Sequence, residues 1–403
     1  MKKLILIMAL GLFISSCSND EPMHQDCNEA ESEVVLRSVE EAVELAEKLN
    51  EVRFANMGTR SQEKNIKGVE IISSLNSRSG SDTLIYAINY DGNEGFTLIS
   101  AAKRGIAVIG YADEGNFDED GAKENPNFSY YLGEAKEYVN NQLSIGGPIV
   151  SPSFPETLMQ SIFVKNDLKW GQRYPEGIYC PNGIVGCAQT AMAIIMANRA
   201  EPSSINLTYP ERDVNSVTFD WSEIRKHKQS ATSSTHLNLC DASEEIHKNI
   251  GRLCRELGYR NKAVYNTNST STSPSIVVPT FRAVCPALTI TDYKSFNSTY
   301  SNLWDDMYVS DGVAYLVGYD INGEGGHAWV CDGADHYDTS YKVLKVDGTY
   351  ETVHEHEYYY HFNWGWRGDD NGYFAAGVFD TSKGKPKSRY DFSSGTKYFV
   401  VSK

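Results

Sequence analysis

The sequence has no excess of positive charge and no apolar segment long enough to span a bilayer. It contains 37 Lys and Arg residues against 53 Asp and Glu residues, which gives a formal net charge of −16. Nucleic-acid binding requires a basic face, so the sequence excludes that partner. Residues 4–14 are apolar, but a transmembrane helix needs about 20 such residues. The acidity is concentrated in residues 18–160, which hold 25 acidic and 11 basic side chains.

Several catalytic motifs are also missing. The sequence contains no G-x-S-x-G serine motif and no phosphate-binding P-loop. Its nearest approach to the zinc motif H-E-x-x-H is His-Glu-Tyr-Tyr-Tyr-His at residues 356–361. That segment has one residue too many, and its tyrosines favour a strand over a helix. We therefore predict neither a metal site nor another cofactor.

Cysteine is too sparse for a disulfide-built fold. Eight cysteines in 403 residues do not resemble the dense frameworks of small secreted domains. Cys17 and Cys187 are discussed below. The disulfide pairing of the other six cysteines does not follow from the sequence. They are Cys27, Cys180, Cys240, Cys254, Cys285 and Cys331.

The N-terminus reads as a targeting segment. Lys2 and Lys3 precede the apolar run, and Ser15-Ser16-Cys17 resembles a bacterial lipobox. Residues 1–16 are thus predicted to be a lipoprotein signal peptide, and Cys17 the lipidated residue of an exported protein held at the bacterial membrane or cell surface. An ordinary secretory signal with an incidental cysteine is the alternative, and release after maturation is left open. Residues 17–37 are polar and acidic, which indicates a flexible tether.

The length predicts two or three structural units. Residues 38–145 combine helical and alternating patterns; the helices are expected at 38–52 and 127–142, and the strands at 68–75, 83–90, 96–100 and 106–111. Residues 146–165 are rich in Gly, Ser and Pro, which indicates a linker. From residue 166 onward helices come first and strands later, with two separate strands expected at 327–331 and 341–346. This order favours an α+β fold with segregated layers.

Cys187 is the candidate nucleophile. It follows Gly186 and opens an Ala/Met/Ile-rich helix predicted over 187–199. Backbone N–H groups and the helix dipole favour a thiolate at that position. The alternative is a small buried cysteine that only packs. A base and an orienting group elsewhere in the chain are needed to decide between them.

His327 and Asn363 supply such groups. His327 follows two glycines and opens a predicted strand, and Asn363 ends a Tyr-rich strand just before Trp364. An amide oxygen can accept the imidazole N–H, and an indole ring can shield that bond from water. Gln172 is the candidate oxyanion-hole donor, together with the N–H of Cys187. His361 is the second choice for the base.

Four motifs together resemble the streptopain family of papain-like cysteine proteases. They occur in the family's order: Trp170-Gly171-Gln172, the segment 186–193, Gly325-Gly326-His327-Ala328-Trp329, and Phe362-Asn363-Trp364-Gly365-Trp366. Segments 86–90, 95–100 and 107–111 resemble the family's inhibitory prodomain. The resemblance implies a two-lobed papain-like fold, with a helical lobe and an antiparallel β lobe, preceded by a small α+β prodomain.

The resemblance also implies a role for each matching residue. Cys187 corresponds to the nucleophile, His327 to the base, Asn363 to its orienting group, Trp364 to the aromatic shield and Gln172 to the oxyanion-hole side chain. The implied domains are an inhibitory prodomain at 38–145, an activation linker at 146–165 and a catalytic domain at 166–403. Protein and peptide substrates, and the chain's own prodomain as inhibitor, are the implied partners. The loop at 266–275 resembles the mobile loop of the family's substrate cleft.

Some positions depart from the family pattern. Ala188-Gln189 replaces the usual Val-Ala after the cysteine, and Arg367 replaces a glycine after the second tryptophan. Trp329 and Cys331 replace smaller or aliphatic residues after the histidine. Two rival functions stay open at this point: a Cys-His amidase or acyltransferase acting on cell-wall peptides, and a non-catalytic binding protein on a protease fold.

Overall fold

A computed structural model describes nine segments of the chain: residues 36–56, 64–73, 83–145, 154–226, 243–296, 300–319, 326–345, 348–379 and 396–403. The predicted signal peptide, the tether, Cys17, Cys27 and Cys240 lie outside these residues. In the described part, no helix is both long and apolar enough to cross a membrane.

The N-terminal part (residues 36–145) is a small antiparallel sheet with helices packed on it. Strands β1 to β4 pair in sequence order, and every residue of β2, β3 and β4 is buried. The elements are α1 (Val39–Asn56), β1 (Ile66–Ser73), β2 (Thr83–Tyr90), β3 (Phe96–Ser100), β4 (Val108–Ala112), α2 (Glu119–Glu124) and α3 (Pro126–Ser144). Asn125 caps α3 by accepting the N–H of Phe128 at 3.2 Å, and Pro126 occupies its first turn.

A helical lobe follows. Its central helix, α4 (Cys187–Arg199), is buried along almost its whole length because its side chains are small or apolar on every face. The amphipathic helix α6 packs against it. The other elements of the lobe are β6 (Ser204–Asn206), β7 (Ser216–Thr218), α5 (Trp221–Ile224), α6 (Glu244–Arg260), β8 (Val264–Tyr265), β9 (Thr270–Ser271) and α7 (Val277–Val284).

The β lobe is dominated by two long strands. β13 (Gly326–Leu344) and β14 (Tyr350–Asn363) pair antiparallel from Val330 to Leu344. Along its other edge β13 pairs first with β12 and then with β5. The remaining elements are β5 (Pro155–Ile162), β10 (Thr289–Ile290), β11 (Lys294–Ser295), α8 (Tyr300–Ser310), β12 (Val313–Tyr319), β15 (Gly372–Ala375) and β16 (Lys397–Ser402).

The N-terminal part and the β lobe share one 12-stranded sheet. Ten of its strands run in the order β1-β2-β3-β4-β15-β14-β13-β12-β16-β10, while β5 pairs with β13 and β11 pairs with β16. The two halves meet where β4 pairs with β15, through the two residue pairs Tyr111–Tyr373 and Gly110–Phe374. Gly110 permits this close approach, because a Cβ there would lie 2.6 Å from the ring of Phe374.

The buried side chains form two cores. One spans the N-terminal part and the β lobe, and the other lies in the helical lobe between α4, α6, α7 and the facing strands. Because the first core crosses the sheet junction, the N-terminal part is packed as a continuation of the β lobe. The observed α+β architecture agrees with the fold class expected from the sequence.

The predicted linker is only partly an open connector. Residues 155–162, assigned to it because of their proline and serine content, form β5 and pair with β13. Most side chains of β5 are exposed or only partly buried, which is consistent with an edge strand. Residues 146–153 lie outside the described part of the chain.

Candidate active site

Cys187 lies at the first turn of α4, as predicted. Gly186 precedes the helix with φ of +90°, a conformation that favours glycine. A Cβ on Gly186 would also lie 2.9 Å from the carbonyl oxygen of Thr270. The turn therefore needs glycine both for its backbone angle and for the contact with the β8–β9 hairpin.

The thiol of Cys187 is held in its neutral form. Burial raises its pKa, while the backbone N–H groups of Ala328, Ala188 and Cys187 itself act in the opposite direction. The helix N-terminus thus has the effect expected from the sequence, but burial outweighs it. The expectation of a lowered pKa is wrong for this state, because the sequence does not show how much of the sulfur is taken out of water.

His327 lies near the start of β13, opposite Gly318 of β12. Helix α4 packs on β13, and the N–H of the next residue, Ala328, reaches the sulfur of Cys187. The structure therefore brings the candidate nucleophile and the strand of the candidate base together. Burial lowers the pKa of His327, so imidazole and thiol both favour their uncharged forms.

Gln172 is tied to the turn that leads into α4. Its carbonyl oxygen accepts the N–H of Val185 at 2.8 Å, two residues before Cys187. The preceding residues are held from the other side, since the N–H of Arg367 donates to the carbonyl of Trp170 at 3.0 Å. These bonds place Gln172 beside the nucleophile, which suits an oxyanion-hole donor.

Asn363 is fully buried, but the hydrogen bonds of its side-chain amide are not those expected from the sequence. Its Nδ2 donates to the carbonyl of Leu168 at 2.7 Å, and its Oδ1 accepts the N–H of Gly365 at 3.1 Å. Both partners are backbone groups, and neither is His327. In this state Asn363 joins the end of β14 to the segment that carries Gln172.

Trp364 is fully buried, and its Nε1 donates to the carbonyl of Asp370 at 2.8 Å. Its ring lies 5.2 to 5.8 Å, between centroids, from three rings of the β lobe. They belong to Trp329, Phe362 and Phe374. Phe128 and Tyr131 of α3 pack on the same indole, so the N-terminal part completes its surroundings.

His361, the second choice for the base, has a separate partner. Its Nδ1 lies 2.5 Å from Oδ1 of Asp332, and both residues are buried. Burial alone would lower the pKa of His361, but the Asp332 carboxylate raises it above the usual value. His361 borders a cavity whose lining includes neither Cys187 nor His327, so we assign it no part in the chemistry.

That cavity, of about 1710 Å³, lies between the N-terminal part and the catalytic segments. It is bordered by Asp113 and Glu114 on one side and by Lys169 and Arg367 on the other. Within the described residues no group of three or more His, Cys, Asp or Glu side chains is arranged to hold a metal. Gln172 also lines this cavity, whereas Cys187 and His327 do not.

Asn127 is a contact residue that the sequence did not reveal. It is fully buried at the start of α3, and its Nδ2 donates to the carbonyls of Trp364 at 2.6 Å and Ala328 at 3.1 Å. These carbonyls lie one residue beyond Asn363 and His327. In the sequence, an asparagine near a helix start indicates only a cap.

Comparison with known families identifies the fold and chemistry. The Peptidase C10 family matches residues 169–374, the segment that contains Gln172, Cys187, His327 and Asn363. The chain belongs to the peptidase C10 family. A second family, described as Spi protease inhibitor, matches residues 33–139 of this C10 peptidase. The N-terminal part is therefore an inhibitor prodomain.

A solved structure has a similar fold. A fragment of prointerpain A from Prevotella intermedia superposes with a TM-score of 0.51 at 18% sequence identity. The match covers 83% of this chain and 98% of that one. A comparison with curated proteins found no match. The predicted resemblance to the streptopain family is confirmed, and with it a cysteine peptidase that is made as a zymogen.

Proposed function

We propose that this C10 peptidase is an endopeptidase that uses Cys187 as its nucleophile and His327 as its base. The observation that supports the assignment is the contact between the sulfur of Cys187 and the N–H of Ala328, next to His327. His327 accepts the thiol proton as the sulfur attacks the peptide carbonyl carbon. It then gives that proton to the leaving amine, and water hydrolyses the thioester.

Gln172 and the N–H of Cys187 stabilise the oxyanion in this proposal. The bond from Val185 to the Gln172 carbonyl and the position of Cys187 in the first turn of α4 support this role, since they tie the backbone of Gln172 to the turn before the nucleophile. Asn363 orients His327 after activation, and Trp364 shields that contact. The bonds that Asn363 now makes to Leu168 and Gly365 describe the zymogen.

Latency follows from two features of the zymogen. Burial keeps the thiol and the imidazole uncharged, whereas attack on a peptide requires a thiolate. The prodomain also holds the backbone next to His327 and Asn363 through Asn127. Removal of the prodomain would free this backbone and admit water and substrate to the sulfur.

The proposed domain boundaries are a prodomain at 38–145, an activation linker at 146–165 and a catalytic domain at 166–403. Because residues 155–162 are paired with β13, and proteases cut unpaired backbone most readily, we place the activating cleavage within residues 146–153. The sequence of the mature N-terminus tests this placement.

We further propose that the enzyme is exported and anchored by lipid on Cys17, at the bacterial membrane or cell surface. The support is the charged, apolar and lipobox-like order of residues 1–17. Mass spectrometry of the N-terminal peptide from the native organism tests the proposal. An unmodified peptide that begins elsewhere than Cys17 would contradict it.

Replacing Cys187 tests the proposed mechanism. The Cys187→Ala variant, activated by an added protease, is expected to lose all casein and peptide hydrolysis, and a thiol-alkylating inhibitor should do the same to the wild type. The Cys285→Ala variant is the control, because that thiol is fully buried away from the site and should leave activity within about twofold. Hydrolysis that survives in pure Cys187→Ala protein would overturn the assignment.

A further inference from the structure

The β8–β9 hairpin and the residue that follows it, Thr272, lie directly against the turn that carries the nucleophile. The carbonyl oxygen and Cβ of Thr270 would lie 2.9 and 3.1 Å from a Cβ on Gly186. The hydroxyl of Thr270 donates to the carbonyl of Ile184 at 2.8 Å. A peptide that presents its carbonyl to the sulfur of Cys187 must therefore pass beside this hairpin.

Asn182 is hydrogen-bonded to the loop end of the hairpin. Its Nδ2 lies 2.7 Å from the carbonyl of Asn266 and 3.1 Å from that of Ser269, and it also reaches the hydroxyl of Thr270 at 3.0 Å. Asn182 belongs to the irregular segment before α4, so these bonds keep the hairpin folded but do not bind it to the helix.

Gln189 makes the connection to the helix. It lies two residues after Cys187, is fully buried, and its Nε2 donates to the hydroxyl of Thr272 at 2.6 Å. Its Oε1 points toward the turn, 3.1 Å from the position of a Cβ on Gly186. Among the described residues Oε1 is buried without a hydrogen-bond partner, so the bond from Nε2 to Thr272 is the polar contact that sets the geometry of this side chain.

We propose that Gln189 is a positioning residue that fixes the β8–β9 hairpin as one wall of the substrate cleft. An alanine at this position would have no group that reaches Thr272, so the bond between the nucleophile helix and this segment depends on glutamine. The inference rests on the peptidase activity and concerns how substrate is held, not how the bond is broken.

A split between KM and kcat tests the proposal. In the mature enzyme Gln189→Ala is expected to raise KM for a peptide substrate roughly fivefold, the factor that one hydrogen bond is worth, with kcat within about twofold. Thr272→Val removes the same bond from the hairpin side, where the side chain is only partly buried, and should give the same rise. The double variant should be no worse than either single variant.

Two controls separate this role from a general loss of structure. Ser222→Ala removes an exposed hydroxyl elsewhere in the helical lobe, where it donates to Asp220, and its KM should be unchanged. The rate at which a small alkylating reagent labels Cys187 should also be unchanged in all variants, since the sulfur itself is not moved.

Thr272→Val decides the question if Gln189→Ala does not fold. A KM within twofold of the wild type in Thr272→Val, or an equal rise in Ser222→Ala, would overturn the proposal. So would an effect confined to kcat, because that would place Gln189 in the chemical step. If the mature wild-type enzyme does not hydrolyse casein at all, the proposed function itself is contradicted.

Discussion

Glu176 and Asp370 carry carboxyl groups whose surroundings disfavour ionisation. Burial raises the pKa of each to about 7. Glu176 is almost completely buried and accepts the N–H of Gly171 at 3.3 Å, while Asp370 accepts the Nδ2 of Asn125 at 3.0 Å. Glu176 thus borders the segment that carries Gln172, and Asp370 lies at the contact with the prodomain.

These shifts predict that the zymogen loses stability as the pH rises. A carboxyl group whose pKa is higher in the folded chain than in the unfolded chain stabilises the fold while it is protonated. For Glu176 this contribution is fully present below its ordinary pKa of 4.5 and is lost as the pH rises through about 7. The shift of Glu176 corresponds to roughly 3 kcal/mol. Relative to Glu176→Gln, the wild type should lose about that much free energy of unfolding between pH 4.5 and 7.5, measured by urea denaturation.

Asp370→Asn should reduce the same pH dependence by a smaller amount, because Asp370 is partly exposed. Its φ of +59° suits asparagine. The exposed Glu124 at the end of α2 provides the control, since Glu124→Gln should keep the wild-type dependence. A wild-type curve parallel to that of Glu176→Gln would contradict the expectation.

The sequence could identify the candidate residues but not their state. Gln172, Cys187, His327 and Asn363 were recognisable from motif and order, because each needs a particular chemical group at one position. The bonds of Asn363 and the raised pKa of Cys187 were not, since both depend on segments far away in the chain. Asn127 was missed for the same reason: its partners are 201 and 237 residues away.

At the scale of elements, α3 is the part of the prodomain that touches the catalytic machinery most directly. It packs on both β2 and β13, and so bridges the two halves of the large sheet. Its aromatic residues Phe128 and Tyr131 cover Trp364, and Asn127 bonds the backbone beside it. The helix therefore links prodomain packing to the backbone of the site.

Asn127→Ala is expected to weaken this link. Two hydrogen bonds to buried carbonyls are lost, which should lower the free energy of unfolding of the zymogen by about 2 kcal/mol. The zymogen should also convert to active enzyme faster when a fixed amount of activating protease is added. Asn140→Ala, an exposed position on the same helix, is the control and should behave as wild type. Equal activation rates for Asn127→Ala and Asn140→Ala would contradict the expectation that Asn127 holds the backbone of the site in the zymogen.

Elements with a strong local pattern were predicted to the residue. The bounds observed for α4, β2 and β3 equal those expected from composition and periodicity. By contrast, two separate strands were expected at 327–331 and 341–346, where the structure has the single strand β13. Most of the intervening residues have polar side chains and one is glycine, and they become a strand because β14 and β5 pair with them on both sides.

At the scale of the whole molecule, prodomain and β lobe form one packed body. They share a sheet and a hydrophobic core, and Tyr111 of β4 donates to the carboxylate of Asp335 at 2.7 Å. Separating them would expose aromatic side chains to water, which opposes dissociation. Cleavage of the chain between the prodomain and the catalytic domain is therefore a separate step from their dissociation.

A single cut should leave the prodomain in place. If a site for a specific protease is introduced within residues 146–153 of the Cys187→Ala zymogen, the two fragments are expected to elute together on size exclusion. The Gly110→Val variant, whose side chain would press on Phe374 across the β4–β15 pair, should separate at a lower urea concentration. The partly buried Gly115, where a Cβ meets nothing within 4 Å but φ is +85°, is unsuitable as a control. Gly68→Val, with open space and an ordinary φ, serves instead.

The junction of β4 with β15 has one more consequence, for the enzyme after its prodomain has gone. β15 then becomes an outer strand with unpaired backbone groups, and such strands recruit other chains into aggregates. Here the strand is only four residues long, and its partner covered just two of them in register. So short an edge offers few backbone groups for a second molecule to pair with.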